Sequence, residues 1–335
     1  MLIAGDVGGT KTDLAIYSEE SGPHTPLAQA QFHSADYSSL QAMVKEFLLQ
    51  TKMTAHVASF DVAGPVINGH VKTTNLPWVM DESSLAEELC LKSAHLMNDL
   101  EAVARSVPVL RPVDLVTINK GEPVSQGTIA VIAPGTGLGE SFLTYDGAQY
   151  QAHGSEGGHS DFGPTDERQI NLLRYLLPRF GHVAVERVCS GIGVPNIYEY
   201  LRDEEKIPEP PEITQRIASA KDRTKAIIDA GVDSKSSSEL CGATVDVLVS
   251  ILASEAGNLA LKVSATGGVY IAGGVALHLL DVLRRPQFVK TFNRKGRFQD
   301  FMEHIPIHVI TTQAALVGVA TYGLERLNAH RKANE

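Results

Sequence analysis

The chain reads as an α/β protein of two domains, and three observations predict that class. Leu2-Ile3-Ala4-Gly5-Asp6-Val7 is an apolar run that climbs to a Gly8-Gly9-Thr10 bend, and Leu14-Ala15-Ile16 then resumes an apolar run. This is the pattern of two strands joined by a glycine-rich tip. Ile129-Ala130-Val131-Ile132-Ala133 leads in the same way into Gly135-Thr136-Gly137-Leu138-Gly139 and then Ser141-Phe142-Leu143, a second hairpin of one design. Around both hairpins, strand patterns alternate with helical spacing, as α/β domains require. With 335 residues and 43% hydrophobic content, the chain suffices for two domains of about 150 residues each, with a substantial core.

Adjacent glycines let backbone N–H groups converge on one point, so each tip can act as a nest for a phosphate. Asp6 stands where it can face a metal ion on that phosphate. An ordinary turn is the plainer reading of either tip alone, and the repetition argues for the nest. Ser38-Ser39 can cap a helix in which Leu40, Met43, Val44, Phe47 and Leu48 fall at helical spacing. Residues 57–62 read as a strand ending at Gly64-Pro65, and 66–71 as a hairpin with an Asn-Gly turn at the sheet edge. Trp78, the only tryptophan, reads as a partly buried anchor. Ser83-Ser84 can cap a helix through Leu85 and Leu89. A strand over 94–97 runs directly into Asn98-Asp99, after which Leu100, Val103 and Ala104 have helical spacing up to Pro108.

The second half opens with a strand over 113–118 and then holds the repeat hairpin. Helical patterns follow over 166–177, from Glu186 onward and over 196–201. The prolines of Ile207-Pro208-Glu209-Pro210-Pro211 predict an exposed connection over 202–212. A long helix is expected over 240–262, with Val245, Leu248, Val249, Leu252 and Leu259 inward, and a last helix from Gln313. Between them Val269-Tyr270-Ile271-Ala272-Gly273-Gly274-Val275-Ala276 reads as a buried strand entering a double glycine and a helix. Such a junction lets a flat ring lie against bare backbone.

The formal net charge of −10 argues against a nucleic-acid or anionic-membrane partner, either of which needs a basic face. It leaves a nucleotide possible, because a cation and local N–H groups outweigh distant charges. Cys90, Cys189 and Cys241 are odd in number and far apart, so neither a disulfide framework nor a cysteine zinc site is expected, and they read as reduced cytosolic thiols. The first strand lacks a basic leader, and no uninterrupted apolar run approaches the ~20 residues that span a bilayer. A soluble cytoplasmic protein is the expectation.

Asn98-Asp99 lies at a strand end before a helix, where open α/β sheets place ligand-contacting side chains. Helix capping accounts for the same pair. Glu156-Gly157-Gly158-His159 offers a carboxylate and an imidazole around a glycine pair, or is a solvated turn. Glu186-Arg187 alone would pass for helix surface.

The ordered trio of two hairpin tips and the Gly273-Gly274 junction resembles the phosphate 1, phosphate 2 and adenosine motifs of the actin, heat-shock-70 and sugar-kinase superfamily. Neither a P-loop nor a dinucleotide-type Gly-x-Gly-x-x-Gly is present. Residues 5–10, Asn98-Asp99, the 135–139 tip, Ser155-Glu156-Gly157-Gly158-His159-Ser160-Asp161-Phe162, Glu186-Arg187, Ser190-Gly191-x-Gly193 and Ala272-Gly273-Gly274 stand in the order seen in the bacterial glucokinase family. The resemblance spans nearly the whole chain, and its most selective piece is Glu-Gly-Gly-His with the following Asp161-Phe162.

That resemblance implies two actin-like ATPase domains of ribonuclease H-like type with a cleft between them. The small domain would be 1–107, joined by a C-terminal helix over 312–335, and the large one 108–311. It implies transfer of the γ-phosphoryl group of ATP to the 6-hydroxyl of glucose, with Asp99 as base and Asn98, Asp99, Glu156, His159 and Glu186 holding the sugar. Gly5, Asp6, Val7, Gly8, Gly9, Thr10, Gly135, Thr136, Gly137, Gly273 and Gly274 would hold the nucleotide, with Mg²⁺ near Asp6. A cytoplasmic homodimer is the expected form. The chemistry is apt, since sugar hydroxyls are donors and carboxylates accept them in charge-assisted bonds.

Two departures matter. The related repressor, open-reading-frame and kinase group carries a zinc-binding cysteine cluster near its sugar loop, whereas no cysteine stands close to His159, so no zinc role is expected there. Lys11 stands where some relatives carry Asn. The rival readings are a kinase for another hexose or amino sugar, a kinase using another donor, an actin-like filament or chaperone ATPase, and a sugar-responsive DNA-binding repressor. The last would need a helix-turn-helix, and the first hairpin begins at residue 2.

Overall fold

The computed structural model describes every residue except 74–75, 233–237 and 333–335, together with the side chain of Lys332. In chain order the strands and α-helices are β1 (Leu2–Val7), β2 (Lys11–Tyr17), β3 (Ala28–His33), α1 (Leu40–Thr51), β4 (Val57–Val62), β5 (His70–Lys72), β6 (Val79–Asp81), α2 (Glu82–Glu88), β7 (Ser93–Asn98) and α3 (Asp99–Ser106). They continue with β8 (Leu115–Asn119), β9 (Ile129–Pro134), β10 (Leu138–Tyr145), β11 (Tyr150–Ser155), α4 (Glu167–Phe180), α5 (Gly193–Asp203), α6 (Pro211–Ser219), α7 (Arg223–Val232) and α8 (Glu239–Val263). The last are β12 (Gly268–Ile271), α9 (Gly274–His278), α10 (Leu280–Leu283), α11 (Pro286–Asn293), α12 (Gln299–Glu303), β13 (Ile307–Ile310) and α13 (Ala314–Lys332).

The chain divides into two units, one of Met1–Arg111, Tyr150–Gly154 and Thr312–Glu335, the other of Pro112–Gln149 and Ser155–Thr311. The first is built on a five-stranded sheet in the order β3-β2-β1-β4-β7. β1 and β2 form the expected hairpin, β3 adds antiparallel to β2, and β4 and β7 run parallel to β1. Strand residues alternate between faces. Ile3, Val7, Ala58, Phe60, Val62, Ala94 and Leu96 therefore meet Met43, Val44 and Phe47 of α1 and Leu85 of α2 on one side. Leu2, Ala4, Val57 and Met97 meet Ala102 of α3 and Leu316, Val319, Ala320 and Leu324 of α13 on the other. Asp6, in phase with Leu2 and Ala4, and Asp61, in phase with Val57, belong to this second face.

The second unit's strands run in the order β10-β9-β12-β13-β8. β9 and β10 form an antiparallel hairpin, and β12 and β13 are parallel to β9. From β10 to β13 the order repeats that of β2-β1-β4-β7 in the first unit, as two related halves require. The apolar helix α8 lies in the core of this unit, with Leu240, Val245, Leu248, Ile251, Leu252 and Leu259 buried. Among the described residues it is the one helix long and apolar enough to cross a membrane by length and composition. Its apolar window is 78% buried, the burial of a core helix.

Other local expectations change. Residues 66–71 do not extend the main sheet: Asn68 and Gly69 adopt positive φ at the turn, and β5 pairs with β6 in a sheet of two strands. α2 is capped by Asp81, whose Oδ1 accepts the Ser84 N–H, not by Ser83-Ser84. Trp78 is buried and donates to the Tyr37 carbonyl. The predicted connection over 202–212 shrinks to the residues between α5 and α6. Cys189 and Cys241 pack as small hydrophobes, whereas Cys90 is exposed.

Candidate active site

In the first unit the hairpin tip is closed by the Gly8 N–H donating to the Lys11 carbonyl at 3.0 Å. Ser34 holds it from outside. Its N–H donates to the Thr10 carbonyl at 2.9 Å, its Oγ donates to the Gly8 carbonyl at 2.7 Å, and the same Oγ lies 3.0 Å from the Thr12 hydroxyl. Gly5 to Thr10 thus form a short strand end and a braced turn. Lys11 is exposed.

Asn98 and Asp99 divide two tasks. Asn98 is the N-cap of α3: its Oδ1 accepts the N–H groups of Leu100 and Glu101, and its Nδ2 donates to the Gly64 carbonyl. Asp99 is the first residue of that helix, half-buried, with Oδ1 accepting the Leu100 N–H at 2.9 Å. A carboxylate at a helix N-terminus is favoured in its ionised form by the macrodipole.

Asp6 does not stand alone. The parallel register of β1 and β4 sets it directly opposite Asp61. Asp61 is fully buried, and no donor among the described residues reaches either of its carboxyl oxygens. Burial pushes the Asp61 carboxyl well above the usual carboxylate range, and the charges of Asp6 and Asp99 push it the same way. Asp6 is also raised, first by burial, against a hydrogen bond from Asp61. The two carboxyls therefore stand within hydrogen-bond reach of each other. Among the described residues no three His, Cys, Asp or Glu side chains form a ready-made metal site. Two hard oxygen donors are nevertheless what Mg²⁺ takes from protein when phosphates and water complete its shell.

In the second unit the repeat tip spans Gly135–Gly137, and Leu138 already belongs to β10. The Gly135 N–H donates to the Gly137 carbonyl, and the N–H groups of Gly191 and Ile192 donate to the carbonyls of Gly135 and Thr136 at 2.8 and 3.1 Å. This tip borders a cavity of about 770 Å³ whose lining includes Thr136, Gly191, Asp222, Lys225, Gly274 and His278. Gly273 adopts φ 90° and turns the chain from β12 into α9 so tightly that a Cβ would sit 2.5 Å from the Pro134 carbonyl oxygen. Only glycine fits there, and Gly274 is left facing the cavity.

Glu156, His159 and Glu186 converge in this unit. His159 lies between two carboxylates, Nε2 3.8 Å from Glu156 and Nδ1 3.7 Å from Glu186. Glu156 and His159 are exposed, while Glu186 is mostly buried. Glu186 is not on a helix surface, as its sequence neighbours suggested. It sits in a single 3₁₀ turn, and its Oε2 accepts the Leu138 N–H at 3.2 Å, which fixes it to the hairpin. The Gly157-Gly158 pair serves close approach: a Cβ on Gly158 would overlap the Leu138 carbonyl, and one on Gly157 would overlap the Glu140 carboxyl.

Glu140, on β10 beneath this loop, is a residue that motif reading passed over. It is buried, its Oε1 has no hydrogen-bond partner among the described residues, and burial, reinforced by Glu255 and opposed by Lys262, pushes it up to about 7. Asp61 and Ser34 were passed over likewise. A signal existed for Asp61, since it interrupts a strand otherwise suited to full burial, where a charge is rare.

A family model described as glucokinase matches residues 3–326. A glucokinase of Trichormus variabilis is 39% identical, over 96% of this chain and 98% of the relative. One from Yersinia enterocolitica is 33% identical over 97% of each. Among solved structures, a glucokinase from an Antarctic psychrotroph shares the fold with a TM-score of 0.84 and 28% identity, covering 97% of this chain and 98% of that one. Two sheet-containing lobes with repeated strand order, and a match running through both hairpins and the Glu-Gly-Gly-His loop, leave one assignment: the chain belongs to the glucokinase family.

Proposed function

We propose that the chain catalyses ATP-dependent phosphorylation of glucose at its 6-hydroxyl, with Asp99 as general base. The observation that carries this reading is the convergence of Glu156, His159 and Glu186 beside a glycine hairpin, within a chain whose family match is continuous. Glu156, His159 and Glu186 accept and donate to sugar hydroxyls, and Asn98 and Asp99 complete the set. The two units are proposed as the two actin-like domains, with boundaries near 107 and 312 and a cleft between them. Gly5 to Thr10 and Gly135 to Gly137 hold phosphates with their backbone N–H groups. Gly273 and Gly274 give the adenosine a bare wall.

Asp99 takes the proton of the 6-hydroxyl as its oxygen forms a bond to the γ-phosphorus. The bond from that phosphorus to the bridging oxygen breaks, and ADP leaves with the electron pair. Mg²⁺ near Asp6, when bound, neutralises charge on the phosphates. A positioned base supplies about 10²–10⁴-fold, and orientation with electrostatics supplies the rest. Closure of the domains on glucose keeps water from the phosphoryl group. A cytoplasmic homodimer, where ATP is available, is the proposed form.

The test is an ADP-coupled assay with saturating Mg-ATP across glucose, mannose, fructose and N-acetylglucosamine. Glucose is expected to give the highest kcat/KM. No glucose-dependent ADP release would overturn the proposal, and a preference for another sugar would redirect it.

A further inference from the structure

Asp61 has no structural reason to be an acid. It occupies the fifth position of a six-residue strand buried throughout, where an apolar residue would pack at no electrostatic cost. An ionised carboxylate there without a partner is among the costliest groups a core can hold. Main-chain ladders occupy the backbone groups of β1 and β4 on either side, and neither carboxyl oxygen of Asp61 meets a donor among the described residues. The charged groups acting on it are Asp6, its register partner on β1, and Asp99, at the head of α3, both negative. Three acids thus gather at one end of three neighbouring elements, beside the Gly8-Gly9-Thr10 tip. The innermost is buried, reached by no donor among the described residues and hydrogen-bonded only toward the other acid Asp6, and it lies on the same sheet face as Asp6.

We infer that Asp61 is a ligand of the divalent cation that accompanies the nucleotide, so that this cation is held by two protein carboxylates, Asp6 and Asp61, and not by Asp6 alone. The inference rests on the kinase reading and adds to it a residue that neither the motif spacing nor the family match assigns. A dication lying between the pair satisfies oxygens that no donor among the described residues satisfies. Replacing one carboxylate by an amide of the same shape preserves packing while discarding a ligand; since loss of a partner that only orients a ligand weakens metal affinity by about 10–100-fold, loss of a ligand should cost at least about tenfold.

The discriminating measurement is Mn²⁺ titration by electron paramagnetic resonance, with a non-hydrolysable ATP analogue present, on the wild-type chain and Asp61→Asn. The expected result is at least a tenfold rise in the Mn²⁺ dissociation constant for the variant, with affinity for the analogue in EDTA unchanged. An unchanged Mn²⁺ constant would overturn the inference, because an amide can replace a protonated carboxyl that merely hydrogen-bonds Asp6 but cannot replace an anionic ligand. Should Asp61→Asn fail to fold, the anomalous signal of Mn²⁺ in wild-type crystals with the same analogue decides. A peak with an Asp61 oxygen at about 2.0–2.2 Å supports the assignment, and a peak bounded by Asp6 alone refutes it. Mn²⁺ binding without glucose phosphorylation would remove the kinase reading and leave this one standing.

Discussion

Glu140→Gln tests whether a buried carboxyl under the sugar loop makes the second unit sensitive to pH. Glu140 is raised from 4.5 to about 7, by burial first and then by Glu255, with Lys262 opposing. A carboxyl raised on folding binds more protons in the native state than in the unfolded one between these two values. Stability is therefore fully present below the unfolded value and is lost as pH rises toward the folded one. The shift of about 2.5 units corresponds to about 3.4 kcal/mol, of which about 2.5 kcal/mol accumulates between pH 5 and pH 8. Glutamine keeps the shape, cannot ionise, and removes the whole dependence. For a unit of this size 1 kcal/mol moves the midpoint by about 2–4 °C. The midpoint difference between variant and wild type should thus move by about 5–10 °C in the variant's favour from pH 5 to pH 8. Differential scanning calorimetry in matched buffers reads it. Parallel profiles would show that Glu140 ionises at no unusual pH and that the buried position is better solvated than its surroundings suggest.

Five substitutions separate the proposed roles. Asp99→Ala should lower kcat by about 10²–10⁴-fold while leaving the analogue dissociation constant within a factor of two; near-normal turnover would remove Asp99 from the mechanism. Glu186→Gln should raise KM for glucose by about tenfold or more, because a charge-assisted acceptor is worth about 1.5–3 kcal/mol, with little change in KM for ATP. Gly158→Ala drives a methyl into the Leu138 carbonyl, so glucose KM should rise and calorimetric stability fall together; an unchanged KM would show that the loop's seat on β10 does not set the sugar site. Gly273→Ala and Gly274→Ala make a contrasting pair. The first meets the Pro134 carbonyl at positive φ and should destabilise the fold, whereas the second has open space and should leave the midpoint in place while weakening nucleotide binding.

What the sequence made legible is what short segments determine. The glycine tips, the Ser39 cap of α1, the strand entering Asn98-Asp99 and the long helix α8 each depend on neighbours within a few residues, and the structure forms all of them. The repeat of hairpin design was visible for the same reason, and the matching strand orders follow from it. The zinc-free reading of His159 and the oligomeric state depend on nothing local and stay as expectations. Glu186 was misjudged because its partner, the Leu138 N–H, is 48 residues away, and a 3₁₀ turn has no periodicity that separates it from the start of a helix. Ser34 was invisible because bracing a turn from a neighbouring strand leaves no pattern in its own segment.

The two buried acids follow a different logic. A register partner is invisible in one dimension, since which residue of β4 faces Asp6 depends on how two strands slide past one another. The signal that remains is a contradiction: Val57-Ala58-Ser59-Phe60-Asp61-Val62 is buried throughout yet carries one acid, and Glu140 is a buried acid in the more mixed strand Leu138–Tyr145. Local rules are broken where function outweighs stability, so a charge inside a strand fit for burial warrants a search for its ligand before any appeal to packing. The two positions stand on strands that do not correspond in the repeated architecture, Asp61 on β4 and Glu140 on β10, the counterpart of β2. At the first, both carboxyl oxygens lack donors and a second acid faces them, which calls for a cation. At the second, Lys262 already offsets part of the charge and the loop glycine covers the carboxyl, which calls for a proton. One chemical group, buried on non-corresponding strands of the two sheets, thus meets two different needs according to the charges nearest to it.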